Sequence, residues 1–122
     1  MNYITINIPE AAGVLILEDS PMRIAWFKKR LPSAIIVKTV QELKEYFASK
    51  PVCDFYFLDH DLGEGAGNGV EAAIFLKERF GIGSNAAVIH TWNTAGAARM
   101  KDLLPRAQYI PFGEFEIDYA SQ

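Results

Sequence analysis

Val14-Leu15-Ile16-Leu17-Glu18-Asp19-Ser20-Pro21 runs from four aliphatic residues into two acids and then into a helix start. Successive side chains of a strand point to opposite faces, so four apolar ones in a row need cover on both, as in a parallel sheet flanked by helices. Ser20 supplies an N-cap oxygen, and Pro21 fits the first helical position, where no backbone N–H is needed. Ile24, Phe27 and Leu31 give that helix one apolar side, and Pro32 ends it. The same unit recurs down the chain. Ala34 to Val37 is a second strand, and Thr39 caps a helix with the stripe Val40, Leu43 and Phe47, closed by Pro51. Phe55 to Leu58 is a third strand, followed by a glycine-rich loop from Gly63 to Gly69 and a helix carrying Ala72, Ala73, Leu76 and Phe80. Ala86 to Ile89 is a fourth, and the helix from about Thr94 shows Gly96, Met100 and Leu103. Gln108 to Phe112 is a weaker fifth, with Pro111 marking an edge or an early end.

Alternating strands and helices imply right-handed crossovers and helices on both faces of the sheet. The fold class is therefore α/β, a flavodoxin-like doubly wound sandwich with a five-stranded parallel core in the order 2-1-3-4-5. Two segments fall outside that pattern. Tyr3 to Ile8 alternates like a half-buried extra N-terminal strand. Gly113 to Gln122 is too short and too aromatic for a final helix, so that helix is missing, the tail is extended or a short turn, and one face of the sheet is thinly covered. Residues 1–122 read as one domain with its core at about 13–112, since no repeat or composition shift divides them.

Half the residues are hydrophobic, enough for a real core, and the net charge of -3 gives no basic surface for a long nucleic acid. Cys53 is the single cysteine, which excludes a disulfide scaffold and suits a reducing compartment. It precedes a buried strand and is expected to be inert. Apolar runs are far shorter than the roughly 18–20 residues of a membrane span, and the N-terminus lacks a secretory pattern. The expected location is the cytoplasm.

Ligands of such sheets bind beyond the carboxyl ends of the strands. Three polar clusters fall there: Glu18-Asp19, then Asp59-His60-Asp61, then His90-Thr91-Trp92-Asn93. The strands they follow are neighbours, so the clusters converge. Four carboxylates in one crevice repel one another, and a hard divalent cation such as Mg²⁺ relieves this with oxygen ligands. Alone, Glu18 and Asp19 also suit a helix start, where negative charge is favoured. Both of the chain's histidines, His60 and His90, sit at these strand ends, where imidazole serves as general acid or base or as a structural hydrogen-bonding group. Strand alternation would send Asp59 and His60 to opposite faces, and likewise His90 and Thr91, unless the strands end first. The glycine loop either presents amides to an anion or is a plain connection. Trp92 either stacks on a ring or packs, and Met22 and Trp26 either form a partner patch or pack on a loop.

The pattern resembles the receiver domain of response regulators over about residues 13–112. Glu18 and Asp19 after the first strand, Asp59 ending the third and Thr91 ending the fourth carry the likeness. The resemblance implies a Mg²⁺ site at Glu18, Asp19 and Asp59, Asp59 as phospho-acceptor, and Thr91 as a phosphate-contacting hydroxyl. Receivers also carry a lysine after the fifth strand, whereas Ala107 to Phe112 contains none. Leu58-Asp59-His60-Asp61-Leu62-Gly63 and His90-Thr91-Trp92-Asn93 with Gly96 and Met100 resemble a variant, the cyclic-phosphate processing receiver-like domain.

The leading expectation is a phosphoesterase for a cyclic phosphate or related nucleotide phosphate, using Mg²⁺ or Mn²⁺ held by Glu18, Asp19 and Asp59. His60 and His90 would be its general base and acid, in either order, and Thr91, Asn93 and Asp61 would contact the phosphate side of the substrate. Arg99 either adds a cationic contact or lies on a solvated helix face. The alternatives are a receiver phosphorylated on Asp59 that changes its protein partner, and a scaffold that binds a protein without chemistry.

Overall fold

In the computed structural model, which describes residues 3–81 and 86–120, the chain runs β1 (Ile4–Pro9), β2 (Val14–Leu17), α1 (Pro21–Arg30), β3 (Ile35–Val37), α2 (Val40–Tyr46), β4 (Phe55–Leu58), α3 (Gly69–Phe80), β5 (Ala86–Ile89), α4 (Thr94–Leu103), β6 (Gln108–Tyr109) and β7 (Phe115–Ala120). Each helix starts where a side chain takes an otherwise unpartnered backbone N–H. Ser20 accepts from Arg23, Thr39 from Glu42 and Asn93 from Gly96. Asn68 and Glu71 form a reciprocal capping box. Such caps contribute about 1 kcal/mol each.

Five strands form one wholly parallel sheet in the order β3-β2-β4-β5-β6, the expected flavodoxin-like topology. Strand alternation splits its apolar side chains between two layers. Leu15, Leu17, Tyr56, Leu58 and Ile89 pack with Leu43 of α2, Leu76 of α3 and Met100 of α4. Val14, Ile16, Phe57 and Val88 face the other way, against Phe27 of α1 and Leu31.

That second face is not thinly covered, which corrects the sequence expectation. β1 and β7 pair in parallel, from Ile4 with Phe115 to Pro9 with Ala120, and form a two-stranded ribbon. Ile6, Ile8, Phe115 and Ile117 join Phe27, Phe57 and Val88 in one buried cluster. The tail is thus extended, as anticipated, and its period-2 pattern lets it bury one side where a helix was expected to be absent; Ser121 and Gln122 lie outside the described residues. The fifth sheet strand is also shorter than Gln108 to Phe112. Pro111 has no N–H to give, yet Ile110 and Phe112 still donate to the carbonyls of Ile89 and His90. Among the described residues, no helix is long and apolar enough to cross a membrane.

The ribbon's anchor is Phe115, 2% exposed, whose ring meets those of Trp26, Phe27, Phe57 and Phe112. Phe115→Ala should lower unfolding free energy by about 3–5 kcal/mol, the range for truncating a buried phenylalanine. Urea titration should show that loss, with neighbouring Glu114→Ala changing stability by less than about 0.5 kcal/mol.

Candidate functional site

β2, β4 and β5 end side by side, so the residues that follow them meet at one edge of the sheet. A crevice of about 340 Å³ opens there, lined by Glu18, Asp19, Asp59, Asp61, Thr91 and Arg23, with Ser20, Met22 and Trp92 completing its wall. All four carboxylates named from the sequence reach it, as does Thr91. Asn93, His60 and His90 do not line it.

His90 belongs in effect to the end of β5, since its N–H still donates to the Leu58 carbonyl. Its side chain therefore turns to the α1 face, fully buried, with the rings of Phe27 and Phe112 centred 5.3 and 6.4 Å away. Nε2–H donates to Glu18 Oε1 at 2.8 Å, and Nδ1 is buried with no partner. Glu18 Oε2 accepts the N–H groups of Asp19 and Ser20 at 3.1 and 3.0 Å. Burial works to raise the Glu18 pKa, but the His90 hydrogen bond and charge, the Ser20 N–H and Arg23 outweigh it. The carboxyl is held below its ordinary value.

Asp59 lies between these groups, 4% exposed, with Oδ1 accepting the His60 N–H at 2.8 Å. Burial pushes its pKa up, the Glu18 charge adds to the rise, and His90, the His60 N–H and Arg23 oppose it. His60 turns the other way, toward the start of α4. Its Nδ1–H donates to Asp61 Oδ1 at 2.8 Å, and Asn93 Nδ2 donates to the same oxygen at 3.2 Å. Its Nε2 is buried without a partner. The His60 hydrogen bond holds the Asp61 pKa below its ordinary value; burial opposes this, and the Asn93 hydrogen bond and the His60 charge add to the lowering. A Cβ on Gly96 would stand 2.6 Å from the imidazole, so glycine there makes room for the ring. The two imidazoles thus occupy opposite sides of the sheet edge, each tied to a carboxylate that faces the crevice.

Glu18, Asp59 and His90 each offer a ligand atom within 4.8 Å of the other two. Glu18 and His90 are already bonded to each other, and Glu18 has donors on both oxygens. Among the described residues, none donates a hydrogen bond to Asp59 Oδ2 or to the carboxylate of Asp19, which borders the crevice beside Gly63. Asp59 is the member of that group with an oxygen still open, and Asp19 is a further carboxylate on the same crevice, so the donor set is of the oxygen-rich kind that suits a hard divalent cation.

Thr91 Oγ1 accepts the Asn93 N–H at 3.1 Å and keeps its own hydrogen to give. Asn93 Oδ1 caps α4, so this residue braces Asp61 from behind the crevice. The glycine loop folds back through an Asp61–Asn68 bridge, and Ala66 accepts the N–H of Val40, so it is a built connection. Gly67 there adopts φ 81, where a Cβ would also strike Val40 at 2.7 Å. Trp26 packs edge-on against Phe112 and Phe115, Arg99 is exposed away from the crevice, and burial pushes the Cys53 thiol up to about 11. Sequence reasoning passed over Arg23, which lines the crevice 3.8 Å from Glu18. Its signal was electrostatic: a cation in the first turn of α1 opposes the helix dipole and needs another reason to be there.

The sequence profile of the cyclic-phosphate processing receiver domain matches residues 14–106. No curated protein sequence matches the chain. Among solved structures, the phosphorylated cyanobacterial phytochrome response regulator RcpA superposes with a TM-score of 0.68 at 18% identity, covering 82% of this chain and 79% of its own. The Mn²⁺-bound response regulator Rcp1 gives 0.66 at 17% identity, with coverage of 82% and 80%. The signal receiver domain of a histidine kinase from Syntrophus aciditrophicus gives 0.67 at 18% identity, with coverage of 84% and 80%. These likenesses establish the receiver fold.

Because the buried Asp59 has a raised pKa, its ionised form weakens the fold, and the loss is complete once pH exceeds the folded-state value. Asp59→Asn should therefore raise the melting temperature at pH 7 by a few degrees, on the order of 1 kcal/mol for relieving one buried charge. Thermal scans should show this gain fading as pH falls and Asp59 takes up its proton.

Proposed function

We propose, for a chain that belongs to the cyclic-phosphate processing receiver domain family, that its acidic crevice carries out metal-assisted phosphoryl chemistry on a cyclic phosphate or related nucleotide phosphoester. The observation that supports this most is the grouping of Asp19, Asp59 and Thr91 around one opening, with an oxygen of Asp59 and the Thr91 hydrogen uncommitted. Asp19 and Asp59 would hold Mg²⁺ or Mn²⁺, which when bound neutralises charge developing on phosphoryl oxygens. Glu18, implied by the resemblance as a third ligand, also orients His90 through their hydrogen bond.

Thr91 donates its O–H to a phosphate oxygen. Asp61, on the rim and held ionised by His60 and Asn93, is placed to accept a proton from an attacking water, and His60 stabilises it. The Glu18–His90 pair is a second carboxylate–imidazole dyad, and its Glu18 carboxylate lines the same opening. In this reading the histidines act through the carboxylates they bond, one dyad taking a proton and the other returning one to the leaving alkoxide. Residues 1–122 serve as one receiver-like domain, and a reducing cytoplasm suits its single cysteine.

A second reading is favoured by the burial of Asp59 at the end of β4 and by the fold it shares with a phosphorylated response regulator. Asp59 would accept a phosphoryl group and the domain would then change its protein partner. The lack of a lysine between Ala107 and Phe112 weighs against it.

Cyclic nucleotides and RNA ends carrying 2′,3′-cyclic phosphate, with and without Mg²⁺ or Mn²⁺, separate the readings. Wild type should open a cyclic phosphate only with the metal, and His60→Ala and His90→Ala should each reduce turnover by about 10²–10⁴-fold. Their combined loss should be smaller than the product, because groups that act as a unit are not additive. Circular dichroism checks the fold of each variant. No cleavage by wild type, together with phosphate uptake on Asp59 from a small phosphodonor, would put the second reading in place of the first.

A further inference from the structure

Among the described residues that line the crevice, Arg23 is the one basic side chain, set among four carboxylates. Its guanidinium carbon lies 4.5 Å from the ring centroid of Trp92 and 4.8 Å from that of Phe112. Trp92 Nε1–H donates to the Phe112 carbonyl at 2.9 Å, and the Phe112 N–H donates to the His90 carbonyl at 2.8 Å. Both rings therefore hang from backbone fixed at the end of β5. The Arg23 side chain is 14% exposed. Its nearest carboxylate oxygen, Glu18 Oε1, is 3.8 Å away, beyond hydrogen-bond range, and already accepts from His90.

Among the described residues, no hydrogen bond engages the Arg23 guanidinium, although the group carries five N–H donors in a planar fork. Contact through ring faces leaves such donors unused, because they lie at the edge of the plane. An enclosed cation held by aromatic rings, with unspent donors beside an opening, is built to receive a planar or tetrahedral oxyanion. Phosphate matches the fork with two parallel charge-assisted hydrogen bonds, a geometry that lysine lacks. The rings restrict the side chain before the ligand arrives, so less freedom is lost on binding.

We propose that Arg23 is the phosphate-recognising cation of the crevice, and that Trp92 and Phe112 form the clamp that aims it. The ligand is a phosphate group, free or as an ester, and the assignment rests on the reading that this crevice takes a phosphoryl group. Trp92, 68% exposed, thereby has a positioning role toward Arg23 despite its exposure.

Calorimetric titration of inorganic phosphate into the full chain with millimolar Mg²⁺ tests this, with ³¹P line broadening as a second readout. Arg23→Gln should weaken phosphate affinity about 10–100-fold, the worth of one or two charge-assisted hydrogen bonds. Arg23→Lys should recover only part of that loss. Trp92→Ala should weaken affinity about 3–10-fold through loss of the cation–π contact, and Trp92→Phe should restore most of it. If Arg23→Gln does not fold, Arg23→Lys and the two Trp92 variants decide. A folded Arg23→Gln that binds phosphate as wild type does, even with a lower melting temperature, makes Arg23 only a counter-ion to Glu18 and overturns the assignment while leaving the proposed chemistry standing. Failure of wild type to bind phosphate with Mg²⁺ overturns both.

Discussion

Glu18 and His90 share a hydrogen bond of 2.8 Å with almost no contact with water, and the architecture of the site follows from it. One residue ends β2 and the other ends β5, so the bond spans β4 and encloses Asp59. A buried pair of this kind repays its desolvation only when its remaining groups are satisfied, and losing one partner typically costs about 3–5 kcal/mol. The Glu18 side meets that condition through two backbone N–H groups at the start of α1, while Nδ1 on the His90 side has no partner among the described residues. The pair thereby fixes the helix that carries Arg23 and acts on Asp59 in both directions: burial raises that carboxyl's pKa, His90 opposes the rise and the Glu18 charge adds to it.

The same constraint divides the polar residues into two groups. Those that line the crevice are Glu18, Asp19, Asp59, Asp61, Thr91 and Arg23; those behind them, His60, His90 and Asn93, hold the first group in position. The imidazoles are sent to opposite sides because β4 and β5 keep their alternation to their last residues. Each meets a carboxylate there, and each is left with one buried nitrogen that has no partner.

Much of this was legible in the sequence. Four-residue apolar runs, helix caps and strand-end acids announced the parallel sheet and the edge at which the acids gather. The alternation of strand residues even anticipated that Asp59 and His60 part company. Three things were hidden. The pairing of β1 with β7 joins segments from opposite ends of the described chain, and no local pattern encodes such a partner. Arg23 lies four positions beyond Asp19 on a different element, and its meeting with Trp92 and Phe112 depends on side-chain directions that residue types alone do not give. The bond between Glu18 and His90 was likewise hidden, because it joins residues 72 positions apart.

The β1–β7 ribbon also bears on how the chain reaches its native state. The five-stranded sheet is assembled from neighbouring strand–helix units, whose contacts close short loops, whereas the ribbon must bring distant segments together and pay more chain entropy for its first contact. Until it docks, Phe27, Phe57 and Val88 present an apolar surface to water. The kinetics of folding should therefore divide at this point: an early sheet with its crevice residues near their final places, then a slower closure of the opposite face. During that interval the uncovered patch is the region most open to association between chains.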